Sequence, residues 1–472
     1  MWTPEHYLLS SSLFLKLLGA IFFIALGSLF VQIKGLIGSR GILPLKEFIN
    51  LIGRSRGISK RRLPMLFWIN AEDRFIQGTI LLGLIASILL IQGIWSPLQL
   101  ALLFVIYLSV FYAGQEFLSF GWELFLIEIT AHAFLLSCSY PANPMVFFSL
   151  NFLLFRFHIQ AGAVKLESCD LNWRNLSALK FHYQSQPLPN TQAWFFHKLP
   201  LPLQKLSCLY MFFVELVVPF GIFFEDTVRL IVFSQFFLLQ FFIWLTGNFS
   251  YLNYMTIALS VVLLPDWVLP DFLGNAAPAA PTPLWLNLFL YAGGSALFFL
   301  QVLRLYDHFA PTHFCKKILS FTAPYCIANR YGIFAVMTTK RIEIVIEGSD
   351  DGLHWKEYCF KYKPSEISRR PRRISPFQPR LDWQVWFLPF RSFRQEVWFQ
   401  RFLFALLEGR EEVLGLLRLN PFPEKPPRLI RALAYEYVFT DFKELSKTGN
   451  WWKRTYVGSY SPTLAIKEVD RP

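Results

Sequence analysis

Glu128 and His132 stand four residues apart in Phe125-Leu-Ile-Glu-Ile-Thr-Ala-His132, so they share one face of a helix. Glu123 and Glu215 also lie inside apolar runs. Ionisable groups at membrane depth are costly, and they face a bundle interior or a wet cavity. Two readings follow: a polar cavity or proton relay, or plain hydrogen bonding between helices, which is the commoner use of such groups. A metal site is disfavoured, because a lone Glu–His pair lacks the further ligands a metal needs.

The densest polar stretch runs from Arg156 through His158, Gln160, Lys165, Glu167 and Asp170 to Trp173 and Arg174. Arg156, Gln160 and Glu167 follow near-helical spacing, and Ala161-Gly-Ala163 permits close backbone approach. Lys165 has two readings. At the membrane edge it snorkels to the headgroups; desolvated, it becomes a base, with His158 or Glu128 as partner. Arg174 follows Asp170 by four residues, a helical spacing that predicts an ion pair.

The basic run Arg369-Arg-Pro-Arg-Arg373 is short and carries no nucleic-acid pattern. It reads as a solvated turn or a contact with anionic headgroups. No GxSxG, HExxH, GxGxxG or P-loop is present, which argues against common soluble chemistries. Six cysteines without CxxC or zinc spacing read as small core residues.

The elements that must position these residues follow from composition. The 472 residues are 54% hydrophobic and only 16% charged, with 51 Phe, and mean hydropathy is +0.39. That excludes a disordered or disulfide-scaffold chain and disfavours an ordinary soluble enzyme. Stretches near the ~20 residues of a span lie at 12–33, 75–94, 98–116, 119–138, 143–164, 207–224, 228–246, 251–264 and 284–305. The stretch at 251–264 is short and needs its neighbours' cover. Residues 1–310 carry a net charge of only +3 and read as a polytopic α-helical membrane domain of 8–9 spans. Residues 311–472 hold the other +10 of the total +13 and read as a sheet-rich α+β extramembrane domain. The N-terminus does not read as a cleavable signal, since Glu5 stands where a basic region belongs.

The loop from 34 to 74 carries nine basic residues (Lys34, Arg40, Lys46, Arg54, Arg56, Lys60, Arg61, Arg62 and Arg74) against three acids. The positive-inside rule places it in the cytoplasm and the N-terminus outside. The C-terminal domain is expected on the opposite side from this loop, which demands an even number of crossings with 251–264 not crossing. Beyond residue 311, the stretches 334–338, 341–347, 355–362 and 434–439 read as strands. Gly348-Ser-Asp-Asp-Gly352 supplies a hairpin turn. A helix is expected near 383–408, then a Pro-rich extended loop over 420–427.

Several motifs together resemble the lipase maturation factor family. They are Gly114-Gln-Glu-Phe-Leu-Ser-Phe120, Ala161-Gly-Ala-Val-Lys-Leu166, Asp170-Leu-Asn-Trp-Arg-Asn-Leu176 and His182-Tyr-Gln-Ser-Gln-Pro-Leu-Pro189. Leu245-Thr-Gly-Asn248, Gln378-Pro-Arg-Leu-Asp-Trp383, Leu419-Asn-Pro-Phe422 and Pro426-Pro-Arg-Leu-Ile-Arg431 follow in order. With Arg156, the functional candidates on these motifs are Lys165, Asp170, Trp173, Arg174, His182, Asn248, Asp382, Trp383, Asn420 and Arg431. One departure is Leu264-Pro-Asp266, a single acid where the family pattern leads one to expect more. The resemblance implies a chaperone-like membrane protein that helps secreted lipases fold and assemble, in the endoplasmic reticulum or, for a bacterial relative, the inner membrane. It implies no cofactor and no nucleic acid; the partners are a client protein and the bilayer.

Gly162, Lys165, Asp170 and Trp173 also show a fainter similarity to the transmembrane domain of vitamin K-dependent carboxylases, where a lysine acts as base. That resemblance implies an alternative, a membrane enzyme using Lys165. For the maturation reading, Trp355, Trp383, Trp386, Trp398, Trp451 and Trp452 are candidates either for a client-binding surface or for the domain core.

Overall fold

The computed structural model describes residues 3–54, 60–270 and 282–466; Arg56 and the last six residues of the C-terminal domain lie outside these. Each of the nine apolar stretches is helical, because backbone in lipid must satisfy its hydrogen bonds within the segment. The helices are α1 Leu8–Phe30, α2 Asp73–Ile91, α3 Ser96–Ala113, α4 Gly121–Ser137, α5 Pro144–Glu167, α6 Leu201–Leu216, α7 Asp226–Thr246, α8 Leu252–Ser260 and α9 Leu284–Phe309. Among the described residues seven of them are long and apolar enough to cross a membrane, α6 only together with the tighter turns that continue it to Phe223; α4 and α8 fall short. Both short helices are packed inside the bundle, where Phe125, Leu126, Met255 and Leu259 are buried.

Local chemistry sets the helix ends. Asn143 caps α5, its side chain accepting from Met145 N at 3.0 Å, with Pro144 at the first helical position. The lone acid Asp266 does the same for α1 from 256 or more residues away, accepting from Leu8 N (2.8 Å), Leu9 N (3.0 Å) and Ser10 N (3.2 Å).

The C-terminal domain holds one antiparallel sheet, ordered β3-β2-β1-β4-β5, with a short β6 (Leu464–Ala465) also paired to β4. Its strands are β1 Ile342–Ser349, β2 Lys356–Phe360, β3 Leu417–Leu419, β4 Leu429–Phe439 and β5 Trp452–Ser459. The turn before β2 carries Gly352 at φ 77°. Two expectations fail. Residues 334–338 form no strand, because Phe334 sits at φ 55° and its carbonyl accepts from Trp173 Nε1 (2.9 Å), while Met337 N donates to Asp170 (2.6 Å). The helix expected over 383–408 is broken around Pro389 into Arg380–Val385 and α10 Val397–Leu407.

The sheet domain is bolted to the helical body. Arg380 Nη1 meets Glu123 at 2.7 Å, both fully buried, and Glu123 also accepts from Tyr107 and Tyr251. Arg341 donates to the carbonyls of Gln184, Gln186 and Pro187. The run 369–373 is only partly a solvated turn: Arg370 and Arg372 are exposed, but Arg370 bonds Thr191, and Arg373 stacks on Trp244 at 3.9 Å and donates to the Trp244 and Leu245 carbonyls. The loop after α1 packs on the same domain, through Arg401–Glu47 (2.7 Å), Arg410 to the Gly41 carbonyl (3.0 Å) and the Gln32 side chain to Arg380 N (2.9 Å). The opposite-side arrangement expected for these two parts is therefore wrong. Counting charges along a loop says nothing of what the loop packs against.

Candidate functional site

A cavity of about 590 Å³ opens between α5, α6 and α7. Beside it α5 and α6 approach closely at Gly162, where a Cβ would stand 2.6 Å from Leu216 Cδ2. That approach sets Lys165, one turn further along α5, against Glu215 of α6. The segment 330–334 covers one end. Gly332, at φ 151°, lies so near Val164 that a Cβ would meet its Cγ1 at 2.6 Å, and Tyr331 OH is tied to Glu128 at 2.6 Å.

Lys165 does not snorkel. Its Nζ is buried and donates to Glu215 Oε2 (2.8 Å), Glu215 Oε1 (3.0 Å) and the Ala161 carbonyl (2.8 Å), which takes all three of its N–H bonds. The Trp173 ring lies 5.7 Å from the ammonium. His158, two turns back on α5, also lines the cavity and stacks on Phe236 with ring centres 3.8 Å apart. Its Nδ1 is 2.9 Å from the Leu154 carbonyl, which can only accept. The proton is therefore on Nδ1, and Nε2 presents a lone pair. Across the cavity Asn253 donates to Gln240 Oε1 at 2.8 Å. His182, on the short helix Leu179–Ser185, faces the cavity rather than bulk water. Burial, helped by Lys165, pushes its imidazole down to about 4, so it is neutral at pH 7.

The other sequence candidates lie elsewhere. Glu128 and Arg156 form a fully buried ion pair between α4 and α5, completed by Asn329, whose N donates to Glu128 at 2.8 Å. His132 bonds only the Glu128 backbone carbonyl on this face, at 2.9 Å, not its carboxylate. The expected Asp170–Arg174 pair does not form. Asp170 is the N-cap of a four-residue helix, so its carboxylate turns to Asn172 N (2.8 Å) and Met337 N, and Arg174 reaches Cys169 Sγ at 3.1 Å. Asn248 joins the two domains, accepting from Ile374 N (2.8 Å) and donating to the Leu188 and Arg372 carbonyls. Asp382 accepts from Tyr362 N and Lys363 N, and burial raises its carboxyl to about 6 against those two amides. Trp383 is buried against Trp122 and Phe249, and Trp398 and Trp452 are buried too, so half of the tryptophans offered as a client surface are core. Asn420 closes its own turn on Phe422, and Arg431 pairs with Glu347 (2.9 Å) and stacks on Trp355 on the outer sheet.

Sequence reasoning missed three partners: Glu215 for Lys165, Arg380 for Glu123, and the Gln240–Asn253 pair. Each signal was a polar residue inside an apolar helix; what was missing was the partner on a distant helix. Among the described residues no group of three or more His, Cys, Asp or Glu side chains is placed to hold a metal ion.

Helices of spanning length and a seated antiparallel sheet domain define an integral membrane protein with an extramembrane module. The lipase maturation factor transmembrane-domain model matches residues 9–270, and the corresponding C-terminal-domain model matches 327–462. Lipase maturation factor 1 of Bos taurus is 30% identical over 502 residues, covering 96% of this chain and 89% of the relative. Lipase maturation factor 2 of Homo sapiens is 30% identical, covering 97% and 83%. Lipase maturation factor 1 of Mus musculus is 31% identical, covering 96% and 87%. No solved structure matches significantly. The chain belongs to the lipase maturation factor family.

Proposed function

We propose that the protein is a membrane-embedded maturation factor that assists folding or assembly of an exported client, lipases being the class its relatives are named for. The observation that carries this reading is that both family models match in order and relatives align over nearly the whole chain. The membrane is the endoplasmic reticulum in a eukaryote, or the inner membrane in a bacterium. The sheet order supports a recognition surface at β5, which has β4 on one side and whose Tyr456 and Val457 are exposed; Phe442 and Phe390 are exposed elsewhere in the domain. An edge strand with exposed apolar groups suits an extended segment of a folding client. The test is secreted lipase activity per unit of lipase protein, with and without this protein. A several-fold fall on its removal is expected; unchanged specific activity overturns the reading.

A second reading, a carboxylase-like membrane enzyme with Lys165 as base, is favoured by one observation: Lys165, Glu215 and His158 share one largely apolar cavity. With all its N–H bonds engaged, Lys165 must first pass a proton to Glu215 before it can act. Arginine keeps the charge and meets Glu215 in a bidentate pair but cannot serve as base. Lys165→Arg is expected to retain most client maturation at equal membrane level. A stable variant with none supports the enzyme.

A further inference from the structure

Between the membrane helices and the sheet lies a helix that neither the cavity nor the client reading uses, His313–Thr322. Thr312 caps it, its side chain accepting from Cys315 N at 3.2 Å. At helical spacing its residues divide into three faces. Cys315 and Leu319, one turn apart, are buried against Leu300 and Leu303 of α9. Phe314 and Phe321, two turns apart and so on one side, are 63% and 80% exposed. Lys316, Lys317 and Ser320 make up the third face, which is also exposed. Left in water, each phenylalanine forgoes on the order of 1.5–3 kcal/mol of burial.

Depth decides what covers them. The 26 residues of α9 make a helix about 39 Å long, more than the ~30 Å hydrocarbon core needs. Trp285, exposed near its start, suits one interface. A further ~20 residues reach Leu305, so Leu300 and Leu303 stand just inside the opposite boundary. That boundary is on the face of the sheet domain, since His308 at the end of α9 lies 3.1 Å from Glu167 at the end of α5. Phe299 and Val302, beside the same contact on α9, are exposed apolar residues of a spanning helix. The helix His313–Thr322 is therefore docked at headgroup depth. Charge agrees with depth: from His308 to Ile342 the chain holds no acid to neutralise Lys316 and Lys317.

We propose that His313–Thr322 is an interfacial membrane anchor, lying in the plane of the bilayer surface on the face that carries the sheet domain. Phe314 and Phe321 enter the acyl boundary, and Lys316 and Lys317 meet anionic headgroups. The membrane body then extends to Thr322 instead of ending near residue 310. This anchor is independent of client maturation.

The test places the photocrosslinker p-benzoylphenylalanine at one position at a time in the full-length protein, in nanodiscs of equimolar phosphatidylcholine and phosphatidylglycerol, and identifies captured lipid by mass. A probe replacing Phe314 or Phe321 is expected to capture about fivefold more lipid than one replacing Ser320. Phosphatidylglycerol should exceed phosphatidylcholine about threefold in those adducts, and Lys316→Gln with Lys317→Gln should bring the ratio near one. If that double variant fails to accumulate, raising salt from about 0.05 to about 0.5 M, which screens exposed charges, should do the same on the chain with both lysines. No lipid at either phenylalanine, as on a surface left for a protein partner, overturns the proposal. Capture at only one of them overturns the in-plane placement, and equal capture at Ser320 overturns the division into faces. A ratio near one from the start, or one that neither the lysines nor salt can move, overturns the headgroup contact.

Discussion

Lys165 and Glu215 stand 50 residues apart and bind each other inside the bundle, so neither is tolerable alone. Lys165→Met strands a buried carboxylate and should cost about 3–5 kcal/mol, seen as lower abundance and melting temperature. Glu215→Leu should cost a similar amount, while Lys165→Met with Glu215→Leu together should recover most of the loss. If the double variant is as unstable as either single one, the pair is not the coupling shown here. Asp382 gives a pH signature. Its folded carboxyl titrates near 6 against an ordinary 3.8, so the folded protein holds this proton more tightly than the unfolded chain. The stability this contributes is full below about pH 4 and is lost as pH rises through about 6. Asp382→Asn keeps an acceptor for the Tyr362 and Lys363 amides, so it should match the parent near pH 4 and exceed it at neutral pH by on the order of 1–3 kcal/mol. Parallel melting profiles across that range would refute this assignment. At this scale the sequence flagged Glu123, Glu128 and Glu215 as out of place in apolar runs, because a charge in such a run needs a partner whatever the fold. It misjudged Arg174, since the spacing argument assumes a helix through Asp170 and the chain begins a new helix there.

The helices were the most legible elements: nine apolar runs became nine helices, because composition alone dictates helix where lipid replaces water. The strands were harder. β5 was not foreseen, because Trp452-Lys-Arg-Thr-Tyr-Val-Gly-Ser459 is an exposed edge with little apolar alternation. Its bulge opposite Ala434 and Tyr435 breaks what period remains. The α5–α6 contact was foreshadowed by Ala161-Gly-Ala163, and it carries its own prediction. A side chain at residue 162 must displace Leu216 Cδ2, at 2.6 Å, and crowd Glu215 Cβ, at 3.1 Å. Gly162→Val should therefore cost about 1–3 kcal/mol by overpacking and should disturb the Lys165–Glu215 pair. Leu216→Ala in the same chain should restore part of the melting temperature by making room. Additive losses in the double variant would show that the two helices are not in contact at this point.

The whole molecule has two faces, and the contacts sort the loops between them. One face carries the loop after α1, residues 168–200, Asn248 and the sheet domain, joined through Arg401–Glu47, Arg341 with the Gln184 carbonyl and Asn248 with the Arg372 carbonyl. The other carries the N-terminus, where Tyr7 bonds Asp226 (2.6 Å) and Asp266 caps α1. Loop charge had put the 34–74 loop in the cytoplasm, and the need for clients to fold outside it had put the sheet domain on the opposite side. The positive-inside rule reads short loops as free chains, whereas this loop is part of the domain's footing, with Arg40 near Glu412 at 3.8 Å. Reporter fusions after Arg62 and after Gly449, an exposed turn ahead of β5, should therefore report the same compartment, and a reporter at the N-terminus the opposite one. The maturation reading adds the sign: the shared face must look away from the cytoplasm, where exported clients fold, so glycosylation acceptors placed at the first two sites should be modified in a eukaryotic host. Modification at one and not the other would break the interface described here. Protection of both would keep the interface, place the domain in the cytoplasm and remove the physical basis for a client that folds outside it.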